Sequence, residues 1–346
     1  VETNLINDYI STPEWAGMAE NLYPSENPGK NKIWAIMHSE FSDEVFVESI
    51  PLNGLPDDLE DTDEFAFKGW VKSDDTGKML TALKESSHVY ALWTPTVEHP
   101  SSPVRWFTFE ELPDGGAAVT GFTPVWENYI GSFDKSNINF PAVTADGLKV
   151  RGIASKAFAD NGVIEKIYFR KNIISLRAGA FENCANLVSV EFEGSRTDSG
   201  LIIEDNAFNA CVSLSAVIGG DNTISVGEDA FTGTVWYDTA PDSSYGGFKI
   251  LGMVVVRFLP ESVRDVTSDL FRDATVIAPK AFENYGAGEK DLILSLPNYI
   301  TKIDRRAFLN AGFTSLIVAE DSVTDYDPAA FEGCINISDA TVTTAV

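Results

Sequence analysis

The chain has 346 residues, with 25 Lys and Arg against 52 Asp and Glu, so its formal net charge is −27. That charge argues against nucleic acid and anionic membrane surfaces as partners. No run of 18 apolar residues is present, so no membrane insertion is expected.

Beyond ~250–300 residues chains divide or extend, so one compact core is not expected. A chain that opens at Val1 without Met reads as a mature form whose secretion signal has been removed. In residues 1–30, which hold Trp15 and Tyr23, Thr12-Pro13-Glu14 fits the start of a short helix. Thr12 would cap it and Pro13 would take the first helical position.

Residues 31–95 carry a strand pattern of their own. Ile33-Trp34-Ala35-Ile36-Met37 leads into Phe65-Ala66-Phe67-Lys68-Gly69-Trp70, a Thr76-Gly77 turn and Val89-Tyr90-Ala91-Leu92-Trp93-Thr94. Phe67, Trp70, Tyr90 and Trp93 alternate along strands, so they suit either one small core or a sugar-stacking platform. A domain of ~60 residues is marginal, which favours large buried aromatics. The order of strand, F-x-G-W, Gly turn and Y-A-x-W-T resembles the Listeria–Bacteroides repeat, the B-repeat of internalins. That resemblance implies a small β-grasp-like module. Ser39 to Asp43 stand where the family has glycines in the first loop.

Residues 96–103, Thr-Val-Glu-His-Pro-Ser-Ser-Pro, are polar with two prolines and read as a linker. From there to the C-terminus, 104–346, a solenoid is expected. Trp106–Phe109 and Ala117–Phe122 flank the turn Pro113-Asp114-Gly115-Gly116. That hairpin, at about 104–125, would cover the exposed end of the first rung.

Seven Ala-Phe dipeptides then organise the chain, ending at Phe158, Phe181, Phe208, Phe231, Phe282, Phe308 and Phe331. Their spacings are 23, 27, 23, 51, 26 and 23 residues. A period of roughly 20–30 residues marks a solenoid whose units must stack to bury their apolar faces. The fullest copy, Ile173 to Phe192, has apolar residues before the dipeptide, Cys184 and Leu187 after it, and a period-two ending. The expected packing is one column of seven stacked Phe rings. The long spacing holds Trp236-Tyr237 and the apolar run Ile250 to Phe258, read as a rung with a hairpin insertion at about 235–262.

This pattern resembles the BspA-like leucine-rich repeats of bacterial surface proteins. The resemblance implies a mainly β solenoid with short irregular or helical turns, exposed on the cell surface or secreted.

Cys184, Cys211 and Cys334 share one slot, three residues after Phe, and read as small reduced core residues. His38, His88 and His99 show no metal spacing to one another or to cysteine. No G-x-S-x-G elbow or phosphate loop is present. No cofactor and no enzyme activity are therefore expected. The acidic run Asp57 to Glu64 lacks the EF-hand glycine and spacing, leaving a solvated loop or a weak calcium site.

One stretch opposes the global charge. Residues 149–177 hold Lys149, Arg151, Lys156, Lys166, Arg170, Lys171 and Arg177 against Asp160 and Glu165. In the strand Ile164 to Arg170 the buried positions are Ile164, Ile167 and Phe169, so Lys166, Tyr168 and Arg170 point outward. Either Arg170 pairs with Glu193 on the next rung, or these residues contact an anionic partner. Ile218, Ile293 and Ile317 also fall at outward slots. The expected function is a non-catalytic, monomeric binding or adhesion protein whose sheet face recognises a host or bacterial surface protein or glycan. A structural spacer projecting another module from the cell is one alternative, and an enzyme is the other.

Overall fold

In the computed structural model of the chain, the described residues are 2, 6, 22–39, 45–72, 78–127, 133–194, 200–241, 246–319 and 322–343. The helix expected at Thr12-Pro13-Glu14 and the turn at Thr76-Gly77 lie outside them. The chain forms two units, residues 1–109 with 121–148, and residues 110–120 with 149–346.

In the first unit, β1 (Lys32–His38), β2 (Phe46–Pro51), β3 (Phe65–Val71) and β4 (Ser87–Pro95) form a sheet of order β2-β1-β4-β3. The central pair β1 and β4 is parallel, and both outer pairs are antiparallel. Ile33, Ala35, Met37, Val89, Ala91 and Trp93 alternate onto one face and meet Phe65 and Trp70 in a small core. The F-x-G-W signature has a physical reason. The β3–β4 register shifts between Phe67 and Gly69, and Gly69 sits at φ 144°. This bulge needs a residue without Cβ, and it turns Trp70 inward until only 1% is exposed. Phe67 rests edge-on against Trp70 and Trp93, each at 5.4 Å. Tyr90 departs from the expected single core. It stands on the other face of β4, stacked on His38 at 4.5 Å.

The segment 96–103 is pinned rather than loose. Asn139 Nδ2 donates to the carbonyls of His99 (2.7 Å) and Pro100 (2.9 Å). Ser102 and Asn139 exchange a further pair of bonds, and Ser101 N–H donates to Glu64.

The second unit is a β-solenoid. It starts with residues 110–120, the tip of the hairpin formed by β5 (Phe107–Glu111) and β6 (Ala117–Phe122). Each turn then adds a strand to a first sheet, passes the Ala-Phe turn and adds a strand to a second. The first sheet runs β6, β8 (Val150–Ile153), β10 (Ser175–Leu176), β12 (Leu201–Ile203) and β14 (Thr223–Val226), all parallel. The second runs β9 (Lys166–Phe169), β11 (Ser189–Phe192) and β13 (Ala216–Ile218), also parallel. After the hairpin β15 (Phe248–Leu251) and β16 (Val254–Phe258), the first sheet resumes as β16, β17 (Val276–Ile277), β19 (Lys302–Ile303) and β21 (Asp325–Tyr326). The second resumes as β18 (Ile293–Leu296), β20 (Ser315–Ala319) and β22 (Asp339–Thr343).

The Ala-Phe turn is built on left-handed backbone. The residue two before Phe has positive φ in six turns: Lys156, Gly179, Asn206, Asp229, Lys280 and Arg306. The residue two after Phe does so in all seven: Asp160, Asn183, Ala210, Gly233, Asn284, Asn310 and Gly333. Asn, Asp and Gly tolerate that conformation best, which explains their frequency at the second position. Between these two bends the Phe N–H donates to the next turn's Ala carbonyl, as in Phe158→Ala180, Phe181→Ala207 and Phe208→Ala230. The turns thus carry a ladder of their own, and the motif Ala is buried in every turn after the first, whereas Ala157 of the first turn is half-buried.

The Phe rings stack in two runs, not one. Phe158, Phe181, Phe208 and Phe231 stack at 5.2–5.4 Å. Phe231 then meets Trp236 at 4.8 Å. The second run is Phe258, Phe282, Phe308 and Phe331, at 4.7–5.1 Å. Phe258 lacks the preceding Ala, yet its N–H donates to Ala281 O as the motif residues do. It is the decayed copy inside the long spacing.

Candidate functional site

The second sheet is the expected recognition face, and the solenoid presents it in two parts. Where a strand would follow β13, the chain forms the helical turn Val235–Asp238, and Trp236 N–H continues the ladder to Leu214 O. On the next turn only Val266 bridges to Leu294. The three strands β9, β11 and β13 are therefore separate from β18, β20 and β22.

On the first part, register fixes three rows: Lys166–Ser189–Ala216, Tyr168–Glu191–Ile218 and, past the strand ends, Arg170–Glu193. Lys166 is exposed, Tyr168 and Arg170 are half-buried, and Ile218 is 51% exposed. Lys166, Tyr168 and Arg170 share β9 and its C-terminal edge, with Ile218 two strands away. Ile293 and Ile317 stand on the second part, half-buried, in rows with Ser315 and Ser295 respectively. They do not join the first group.

Several cations of the basic stretch are already neutralised. Arg177 reaches Glu110 at 2.6 Å and Arg151 reaches Asp114 at 2.9 Å, so both tie the first sheet to its terminal hairpin. Lys156 lies 3.8 Å from Glu182. Glu193, the expected partner of Arg170, accepts from the Lys171 backbone N–H at 3.0 Å. Such exposed pairs are each worth ~0–1 kcal/mol.

The cysteine slot has a specific chemistry. Each thiol donates to the carbonyl of the preceding turn's Phe: Cys184 to Phe158 (3.1 Å), Cys211 to Phe181 (3.0 Å) and Cys334 to Phe308 (2.8 Å). The slot wants a small side chain with a weak donor, which is why cysteine recurs there. All three are free thiols, and Cys334 is half-buried rather than fully buried. The neighbouring Cys184 thiol and burial together hold the Cys211 thiol above its ordinary range.

The Ala-Phe turns on either side of the long spacing are joined by ion pairs. Lys280 Nζ lies 2.7 Å from Asp229 and 3.2 Å from Glu228, and Arg306 joins Glu228 to Glu332. Against burial, those carboxylates hold the Lys280 ammonium above its ordinary range. Sequence reasoning missed this network and missed Phe258. The signal for Phe258 was its 24-residue distance to Phe282, within the period of the other copies.

The histidines form a pair in the first unit. His38 Nε2 and His88 Nδ1 lie 2.8 Å apart, and His88 Nε2 contacts Leu22 O at 2.9 Å. Burial, then the charges of His88 and Arg105, lower the His38 pKa to about 3. Among the described residues no group of three or more His, Cys, Asp or Glu has metal-holding geometry, and no helix is long and apolar enough to cross a membrane.

A family profile described as "BspA type Leucine rich repeat region" matches residues 128–237 and 266–346 in six copies, together more than half of the chain. The chain belongs to the BspA-type leucine-rich-repeat family. The gap between the two matched stretches contains the β15–β16 hairpin. The profile does not reach residues 31–95, so the B-repeat likeness there rests on its sequence signatures.

A leucine rich cell surface protein from Faecalibacterium prausnitzii A2-165 aligns over 69% of this chain at 19% identity with a TM-score of 0.37. The chain spans about half of that protein, 53% of its length. A leucine-rich repeat protein from Bacteroides capillosus ATCC 29799 aligns over 39% of this chain and 92% of its own, at 23% identity and a TM-score of 0.31. One from Bacteroides ovatus ATCC 8483 covers 68% of this chain and 75% of its own, at 15% identity and a TM-score of 0.32. A search of curated proteins returned no match.

Proposed function

We propose that this BspA-type chain is a non-catalytic binding protein, secreted or held at the bacterial surface, that recognises a protein or glycan through the second sheet of its solenoid. The contact is centred on Lys166, Tyr168 and Arg170, with Ile218 across the strands, and Ile293 and Ile317 offer apolar contacts on the second part of the sheet. The front strands are a B-repeat-type, β-grasp-like module, and the protein acts as a monomer.

One observation carries this reading. Parallel strands in fixed register hold Lys166, Tyr168 and Ile218 on one outward face, with Lys166 and Ile218 exposed. Side chains mounted on hydrogen-bonded strands lose little entropy on contact, so modest interactions suffice for recognition. A cation beside an aromatic on a chain of net charge −27 is distinctive to an acidic partner.

The test is a glycan and protein array probed with the purified chain and with a Lys166→Glu, Arg170→Glu double variant. Retained folding with lost attachment supports the site. Attachment unchanged in the variant moves the site elsewhere. No ligand for the wild-type chain on either array favours the spacer.

A further inference from the structure

The β15–β16 hairpin carries a pair of cations that the recognition face does not use. Its inward face is apolar, with Phe248 opposite Phe258 at 4.4 Å. The next pair in the register is Lys249 opposite Arg257. Alternation sends both to the other face of the hairpin, where Trp236 and Tyr237 lie over them. Lys249 Nζ sits 5.0 Å from the Trp236 ring, and the Arg257 guanidinium sits 4.9 Å from the Tyr237 ring.

Like charges directly opposite on antiparallel strands repel. Burial deepens the cost, because a buried charge is ordinarily paired. Lys249 is only 8% exposed, and among the described residues its one recorded side-chain contact is the Trp236 ring. Arg257 is partly satisfied: its Nη1 donates to Lys280 O at 3.0 Å and lies 3.9 Å from Glu283. Its Nε is buried with no partner. Lys249 is the one buried lysine among the described residues, and no carboxylate among them pairs with it. Two cation–π contacts soften this arrangement but supply no negative charge. Burial holds the Lys249 ammonium below its ordinary range, as expected of a cation without a counter-charge.

We propose that the Lys249–Arg257 pair is a binding site for a compact oxyanion, a carboxylate, sulfate or phosphate group, seated between the ammonium and the Arg257 Nε. Such a group accepts from both donors and converts a repulsive pair into a bridged one. Trp236 and Tyr237 flank the two cations, and a partly dehydrated setting strengthens such contacts. The site is distinct from the β9 contact, because Lys249 and Arg257 stand on β15 and β16.

The test uses the full chain with 13Cε-labelled lysine, the Lys249 signal being assigned through a Lys249→Met variant. Its titration midpoint is followed by NMR at constant ionic strength with acetate, sulfate, phosphate or chloride added. An oxyanion that pairs with the charged amine raises the midpoint, by about one pH unit for each tenfold preference for the protonated form. We expect at least one oxyanion to raise it saturably and chloride to leave it in place. Arg257→Gln should shrink the shift, and the order of the three oxyanions identifies the group. Lys249→Met removes an unpaired buried charge, so it should fold and melt no lower than wild type. A midpoint indifferent to all three oxyanions overturns the proposal, as does an equal shift with chloride. Failure of Arg257→Gln to fold leaves the wild-type titration decisive.

Discussion

Phe258→Ala tests whether the packing, rather than the dipeptide, defines a turn. By motif, Phe258 is outside the repeat, because Arg257 precedes it. In the structure it is 3% exposed and touches Phe248 at 4.4 Å, Tyr285 at 4.8 Å and Phe282 at 5.1 Å. Removing a buried Phe costs ~3–5 kcal/mol, because the aromatic contacts are lost and a cavity remains. For a unit of this size each kcal/mol shifts Tm by about 2–4 °C, so the expected fall is roughly 6–20 °C. Phe208→Ala, at an intact motif with two stacked neighbours, should fall by a similar amount. Phe331→Ala should fall by much less, since Phe331 is half-buried and stacks only on Phe308. The assay is calorimetric melting of the three variants beside wild type. A Phe258→Ala protein melting within a degree of wild type, while Phe208→Ala falls, refutes the equivalence of the two rings.

In native protein, a thiol reagent should modify Cys334 first and leave Cys184 and Cys211 protected until unfolding, because only Cys334 is half-buried; equal rates for all three would contradict the slot geometry. His38 is neutral when folded above about pH 3 but takes up a proton in the unfolded chain below its ordinary pKa of about 6.5. Stability of the first unit should therefore fall as pH drops from about 6.5 toward 3, by no more than about 1.4 kcal/mol per unit for this group, and His38→Phe should flatten the slope measured by urea unfolding across that range. Asn139→Ala removes the bonds to His99 and Pro100, so limited proteolysis should nick the 96–103 segment faster in the variant than in wild type. Equal nicking would show that those bonds do not hold the segment.

The solenoid was legible because its turns repeat. Ala, Phe and Cys recur at fixed offsets, and each offset answers to a physical demand: close stacking, ring area and a small thiol donor. The two-run column was not legible, because the β15–β16 hairpin supplies Phe258 without the dipeptide that marks the other rings. The basic stretch was visible as composition. Which cations were free was not, since Arg177 and Arg151 pair with Glu110 and Asp114, 67 and 37 residues away. Lys249 gave no sequence signal, being one lysine in a strand whose exposure only packing decides. At 96–103 the prolines suggested slack, while the bonds that remove it come from Asn139, far along the chain.

The hairpin also sets how this molecule would yield if pulled from its two ends. Each ordinary turn is held mainly by backbone bonds to the turns on either side, so tension would peel turns off singly. A 23-residue turn releases roughly 8 nm of chain at about 3.5 Å per residue. The 51 residues between Phe231 and Phe282 contain the β15–β16 hairpin, and Lys280 closes the span by its bonds to Asp229 and Glu228. They would come free together, as one step of roughly 18 nm, giving a force trace of small even steps broken by a single long one.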